Sequence, residues 1–392
     1  MEHSVQKNID IETLRGISIF LVLIAHLPFL MPWTQLTYDY TSRLQFGAGV
    51  DLFFVISGYV ISLSIFKELE TGKYSAKELL LRFWIRRFFR LIPAAAIVVL
   101  VTFASVVLLS GSDFYTQYGG IEHTGYAAFA ALTQWLNLWG FVQIENGQPI
   151  SLLAHFWSLS LEEQFYFFWP ILVVVVLRKQ RLVFGCAIFL AIFSFLQRTD
   201  VYDLAWWFRL DGVIWGCFLY LTVPVLKARY QIPRNRVVAV LTTGLGLLMA
   251  LGSPAVFGAG PFASTLTSIG CALCVFTATI NERALQFAGW PVRAVNYMGS
   301  RSYTIYLWHI LIFSLVKVMW VELYPGVESS FSVPIAVLVV LCVAPFGLII
   351  EFSFNTVEAR TREFGRNVAA LLVPGQTHQS PRRIETSVQG VR

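Results

Sequence analysis

The first apolar stretch of this chain carries two residues that are costly in hydrocarbon, Arg15 and His26. They stand eleven positions apart, close to three helical turns. On a helix they therefore share one face, about 16 Å apart along the axis. Ionisable side chains within spans face the bundle interior and mark a pathway or a site, because each costs free energy against lipid. Two further apolar runs contribute acids: Asp51 in Gly47-Ala48-Gly49-Val50-Asp51, and Glu162 with Glu163 in Trp157-Ser158-Leu159-Ser160-Leu161-Glu162-Glu163. At ~1.5 Å per residue, His26, Asp51 and Glu162 reach depths within roughly 5 Å of one another. The expectation is one polar pocket holding His26, Asp51 and Glu162. There a carboxylate orients an imidazole that takes a hydroxyl proton as general base. Two plainer readings stay open: a neutral His26 bonded to a neighbouring helix, and Asp51 and Glu162 paired with Arg209, which lies beside Asp211.

The other end of the chain's apolar runs offers different chemistry. Arg86-Arg87-Phe88-Phe89-Arg90 precedes Leu91-Ile92-Pro93 and gathers guanidiniums at the mouth of a span. Arginine forks suit phosphate oxygens, so this cluster is a candidate holder of a nucleotide-like or pyrophosphate-bearing donor. An ordinary membrane anchor explains the same residues. His309, about two turns from that end of its own run, either lines a donor passage or caps aromatic packing.

The elements that position these residues must be membrane helices. The hydrophobic fraction is 56% and the charged fraction 13%, with a mean hydropathy of +0.65, which excludes a soluble domain. Ten runs are long enough to span: 13–31, 47–66, 91–109, 157–177, 182–196, 206–223, 237–253, 262–280, 303–320 and 333–352. The fold class expected is all-α, a polytopic bundle of about ten spans. Residues 124–142, with Trp135 and Trp139, read as an interfacial or re-entrant helix, because a crossing there would turn the downstream basic loops outward. The loop between the second and third runs holds Lys67, Lys73, Lys77, Arg82, Arg86, Arg87 and Arg90, and every second connection after it is basic. Those loops are cytoplasmic by the positive-inside rule, and both termini with them. The net charge of +6 follows from that bias, so nucleic acid is not a partner, while anionic lipid can be one for the basic tail. Residues 1–366 form one membrane domain and 367–392 a basic tail, disordered from Gly375 on. The five cysteines lie in apolar runs as small hydrophobes, and the Cys271/Cys274 pair lacks partners for a metal, so no metal is expected.

Taken together, the ordered blocks Ile11-Glu12-Thr13-Leu14-Arg15-Gly16 with His26, Gly49 to Tyr59 (GVDLFFVISGY), Arg87-Phe88-Phe89-Arg90 with Pro93, Trp157 to Tyr166 (WSLSLEEQFY), Arg209-Leu210-Asp211-Gly212 and Ser302 to His309 (SYTIYLWH) resemble the acyltransferase-3 family of integral membrane O-acyltransferases. The resemblance covers nearly the whole chain. It implies transfer of an acyl group, acetyl first among them, from cytoplasmic acyl-CoA to a hydroxyl of a surface polysaccharide, lipid-linked sugar or related acceptor in a bacterial inner membrane. It makes Arg15 and His26 the essential arginine and histidine, and Arg87 and Arg90 the paired-arginine motif. On that reading His26, Asp51 and Glu162 are catalytic; Arg15, Arg86, Arg87, Arg90, Tyr303 and His309 hold acyl-CoA; Ser57, Trp157, Glu163, Arg209 and Asp211 line the substrate pocket. One departure is the end of the last span, where the family's Glu-Arg-Pro pattern is replaced by Val357-Glu358-Ala359-Arg360, which argues against a role for Glu358. An outer segment, 110–156, offers Tyr115, Tyr118, Trp135, Trp139 and Asn137 for stacking on sugar rings. The rival from another class is a proton-coupled carrier or flippase for a glycan, since buried His, Asp, Glu and Arg also line such paths; a sensor or scaffold is the third. Acceptor identity, acyl length, direct transfer against an acyl-histidine route, and oligomeric state lie beyond the residues alone.

Overall fold

The computed structural model describes residues 8–27, 43–110, 117–176, 179–196, 204–232, 234–258, 260–323 and 345–374. Among these there is no strand, and the chain is an all-α multi-pass membrane bundle. Its helices are α1 (Ile9–Ala25), α2 (Ala48–Glu70), α3 (Ala76–Leu108), α4 (Gly120–Leu132), α5 (Leu136–Glu145), α6 (Phe156–Val176), α7 (Lys179–Phe193), α8 (Leu204–Trp207), α9 (Asp211–Tyr230), α10 (Arg236–Phe257), α11 (Pro261–Ile280), α12 (Trp290–Ser300), α13 (Ser302–Leu323) and α14 (Ala359–Leu372). Seven of them, α2, α3, α6, α9, α10, α11 and α13, are long and apolar enough to cross a membrane. Of the other predicted spans, α1 has 17 residues and α7 has 15, and the run 333–352 is described only from residue 345.

Three boundaries differ from the sequence expectation, each for a local reason. The run 206–223 breaks after Trp207, so Trp206 and Trp207 sit on the short α8, and the span begins at Asp211. The run 91–109 is the second half of a 33-residue helix, α3, whose start is fixed by a capping box between Ser75 and Glu78. At ~1.5 Å per residue α3 is about 50 Å long, more than a ~30 Å hydrocarbon core needs, so the arginines lie on a helical extension rather than in a loop. The 124–142 segment is two helices, α4 and α5, broken at Gln134 with φ 63°; neither is long enough to span, as an interfacial or re-entrant segment requires.

Helix α2 lies at the centre. It packs against α1, α9 and α11 and touches α3 and α6, and its Leu52, Phe54, Val55, Ile56, Ile61 and Ile65 are buried. A helix apolar all round belongs in such a position. Its approach to α9 is backbone to backbone: a Cβ on Gly58 would collide with the Val213 carbonyl, and one on Gly216 with the Val55 carbonyl. Small residues at a crossing are what lets helices associate tightly where lipid removes the hydrophobic drive between them. The same device joins α1 to α12, where a Cβ on Gly16 would strike Val295 and one on Gly299 would strike Glu12. The outer faces are lipid-like, with Leu241, Leu245 and Leu248 of α10 and Phe184, Ile188 and Ile192 of α7 exposed.

At the C-terminal end the chain continues helically from residue 345 through a π-helical turn, Phe354–Glu358, into α14. Helix α14 lies along the α3 extension. Arg82 donates to the carbonyls of Ala369 and Val373 at 3.2 and 3.3 Å, and Gly365 abuts Phe89. The expected domain boundary at residue 366 falls within α14, which runs to Leu372; the tail from residue 375 lies outside the described residues.

Gly58→Val is expected to destabilise the bundle by about 3 kcal/mol or more through overpacking, read as loss of the monodisperse peak in fluorescence-detected size exclusion. Gly244→Ala, where an added methyl meets nothing within 4 Å, is expected to leave the peak and its thermal midpoint in place.

Candidate active site

Helices α1, α2, α3, α6 and α13 converge with the C-terminal helical segment on a cavity of about 120 Å³. Its wall carries four guanidiniums, Arg15, Arg87, Arg90 and Arg362, and three carboxylates, Glu12, Glu162 and Glu358, with Ser57, Ser158, Tyr166, Tyr303 and Tyr306 among them. Each charge has a reason to stay. Arg15 lies 3.8 Å from Glu12 one turn earlier, and Arg87 stacks over the rings of Phe83 at 5.5 Å and Tyr166 at 5.0 Å. Tyr166 donates to Glu162 at 2.8 Å and shares a short hydrogen bond with Ser57. Tyr303 donates to the Leu91 carbonyl at 2.7 Å, which ties α13 to α3 at the arginine mouth.

Glu358 belongs to this cavity, against the sequence expectation that its departed motif removes it from the site. It is buried and accepts from Thr304 at 2.5 Å. The π-helical turn that ends at Glu358 is the local feature that re-aims a side chain inward, as such bulges do at functional sites. Arg86, by contrast, turns away from the cavity. It donates Nη2 to Glu68 Oε2 at 2.7 Å and Nη1 to the other carboxylate oxygen, while Arg82 reaches the same acid at 3.3 Å. Arg86, expected to hold the donor, clamps α2 to α3 here and is not among the residues that line the cavity.

A second cavity, of about 140 Å³, lies further along the same helices. His26 ends α1, Trp157 precedes Ser158 on α6, and Ile310 follows Tyr306 on α13, so all three elements run from one cavity to the other. It is lined by His26, His155, Ser151, Trp157, Trp206 and Trp207, with Ile144, Ile150, Leu152, Ala154 and Ile310. Between the cavities lies one layer of side chains. Tyr306 faces the charged cavity, donates to the His155 carbonyl at 2.8 Å and shares a 2.6 Å hydrogen bond with Ser158. Its ring centroid is 5.4 Å from that of His309.

Three imidazoles cluster behind that layer: His26 and His309 at 4.9 Å between centroids, His155 and His309 at 5.1 Å. His26 Nδ1 is 2.8 Å from the Val22 carbonyl and His309 Nδ1 is 2.6 Å from the Tyr306 carbonyl. A carbonyl only accepts, so Nδ1 carries the proton in both neutral rings and Nε2 the lone pair. That is the tautomer a general base needs, and its orientation comes from backbone rather than from an acid.

The single pocket expected for His26, Asp51 and Glu162 is therefore divided. Glu162 lines the charged cavity and His26 the second one. Asp51 lies 3.9 Å from Arg209, as the plainer reading has it. Asp211, in the first turn of α9, accepts a short hydrogen bond from Ser268. Arg209 stands over Trp157 at 5.2 Å and Trp206 at 5.1 Å, behind the second cavity's wall. His309 joins His26 instead of the arginines. Glu163, next to Glu162, is not among the residues that line either cavity. Of the segment expected to stack on sugars, Asn137 is buried and exchanges hydrogen bonds with Gln164, and Tyr115 lies outside the described residues. His155, Tyr306 and Arg362 were missed from sequence; only their place inside or beside quoted motif blocks hinted at them.

Fold and site together define a multi-pass membrane protein with a charged cavity at one level and an imidazole-lined cavity at the next. A family model described as an acyltransferase domain matches residues 8–352, and the chain belongs to this acyltransferase-3 family. It is 28% identical over 375 residues to the peptidoglycan O-acetyltransferase OatA of Listeria monocytogenes, covering 91% of this chain and 56% of that protein. It is 26% identical over 345 residues to the O-acetyltransferase OatA of Staphylococcus aureus, covering 83% of this chain and 54% of that protein. The chain thus spans about half the length of these relatives. No solved structure matches.

The division of labour among the arginines is testable. Arg87→Met is expected to weaken coenzyme A binding about tenfold or more, by removing a charge-assisted donor to phosphate. Arg86→Met is expected to lower the thermal midpoint while leaving that affinity within about twofold, since it loses a carboxylate clamp instead; calorimetric titration and a melting curve on each protein separate the two.

Proposed function

We propose that this protein transfers an acetyl group from acyl-CoA, taken from the cytoplasmic side of a bacterial inner membrane, to a hydroxyl of a cell-surface glycan of the peptidoglycan type. The observation that carries the reading is the placement of two cavities with opposite chemistry one side-chain layer apart. The donor's phosphates lie on Arg15, Arg87, Arg90 and Arg362, which line the charged cavity, and its thioester arm points toward Tyr306. Arginine forks match phosphate oxygens in geometry and charge. Membership in an acyltransferase family and the O-acetyltransferase names of relatives favour acetyl transfer over the carrier reading. The basic loops at the arginine end favour the cytoplasmic side for the donor.

In this mechanism the acceptor hydroxyl approaches His26 from the second cavity. Nε2 takes the hydroxyl proton as the oxygen attacks the thioester carbonyl; the C–O bond forms, the C–S bond breaks, and the proton is returned to the departing thiolate. In the covalent variant Nε2 itself attacks the thioester carbonyl and the C–S bond breaks to release the thiolate; the hydroxyl then attacks the acetyl-imidazole, the C–O bond forms as the C–N bond breaks, and its proton goes to the thiolate. Both routes require Tyr306 and Ser158 to yield, because they stand between thioester and imidazole. Glu162, held by Tyr166, which is itself bonded to Ser57, keeps the arginine cavity charge-balanced and is a positioning residue here.

His26→Ala is expected to lower kcat for acetyl transfer in proteoliposomes by about 10²–10⁴-fold, the usual worth of a general base, with coenzyme A affinity retained. Full transfer by this variant would sink the reading; an acetyl group trapped on His26 after rapid quench would select the covalent route.

A further inference from the structure

The charge distribution between the cavities carries a statement about the acceptor, resting on the proposed function above. Among the described residues, no Asp, Glu, Lys or Arg lines the second cavity, although Arg209 stands directly behind it. Its wall is instead made of three indoles, two imidazoles and a hydroxyl: Trp157, Trp206, Trp207, His26, His155 and Ser151. The indoles touch one another, Trp157 and Trp206 at 4.5 Å, Trp206 and Trp207 at 4.8 Å between centroids. They are held rigidly. Arg209 places its guanidinium over Trp157 and Trp206 and pairs with Asp51, and Trp207 packs into the notch left by Gly140, where a Cβ would lie 2.7 Å from the indole.

We infer that this cavity is the acceptor subsite, and that it selects an uncharged pyranose ring. A sugar ring presents apolar, slightly positive C–H bonds that suit electron-rich indole surfaces, while its hydroxyls find the imidazoles and Ser151. A charged ligand is disfavoured there because no charged side chain among the described lining residues compensates its desolvation. The cavity opens past the exposed Ile150, where the rest of the glycan lies outside. Asp51 and Arg209 thereby act as positioning residues: their pair fixes the indole wall and does not touch the acceptor. This gives the buried ion pair a use beyond stability.

The test is equilibrium binding of a radiolabelled neutral disaccharide of N-acetylglucosamine to the full-length protein in nanodiscs, without any acyl donor. The expected result is saturable binding that falls about tenfold or more in Trp206→Ala, is restored to within about threefold in Trp206→Phe, and is at least tenfold tighter than binding of a hexuronic-acid disaccharide. Ile150→Trp, a substitution at an exposed residue that lines the same cavity, is expected to weaken binding as well and guards against a misfolded Trp206 variant. In acetyl-transfer kinetics the same Trp206→Ala change should raise KM for the disaccharide and leave KM for acetyl-CoA in place. Equal binding of neutral and acidic disaccharides, unchanged binding in both Trp206→Ala and Ile150→Trp, or a shifted acyl-chain preference in Trp206→Ala would overturn the inference; the last would make the cavity a home for the acyl tail. Disaccharide binding without transfer would instead defeat the proposed function and leave the subsite standing.

Discussion

Every guanidinium drawn into this bundle must be matched by a carboxylate or an aromatic face, because a charge in low dielectric without a partner costs several kcal/mol. Arg15 answers to Glu12, Arg86 to Glu68, Arg87 to the rings of Phe83 and Tyr166, and Arg209 to Asp51 and two indoles. That requirement sorts the molecule. Charge collects at one level, where α1, α3, α6, α13 and the C-terminal segment meet, while at the next level, among the described residues, indoles and imidazoles line the space. On the proposed function, an anionic donor and a hydroxyl-bearing acceptor would thereby be offered different surroundings in adjacent cavities.

The glycine crossings make this sorting mechanically possible. With Gly58 and Gly216 in contact across α2 and α9, and Gly16 and Gly299 across α1 and α12, the helices that carry Arg15, Ser57 and Asp51 are fixed in register. Side chains one turn apart then fall into different cavities. On α6 the change happens between neighbouring residues: Trp157 lines one cavity and Ser158 the other.

Much of this was legible in the sequence, and the rest was hidden for identifiable reasons. Composition and loop charge are enough for an all-α membrane bundle, and seven of the predicted runs coincide with helices long enough to cross. Depth along a helix is also readable, which brought Arg15, Arg87, Arg90 and Tyr303 to one mouth and left His26 at another level. Rotation about the helix axis is not. Residue counting put Asp51, Glu162 and His26 at similar depth, but Glu162 lines the arginine cavity and His26 the next one, so counted depth was mistaken for a shared pocket. A π-helical turn leaves no mark in hydropathy, which hid Glu358. His155 and His309 lie in segments whose meeting depends on how α6 packs against α13, and no pairwise spacing reports that.

The account's central claim is that donor and acceptor occupy different cavities separated by Tyr306 and Ser158. A cryo-electron microscopy map of the full chain in nanodiscs with a non-transferable acetyl-CoA analogue tests it most directly. The account predicts analogue phosphates within hydrogen-bond reach of Arg87 and Arg90, the thioester end against Tyr306, and the indole-lined cavity free of the analogue. Density for the analogue among Trp157, Trp206 and Trp207, with the arginine cavity unliganded, would contradict it.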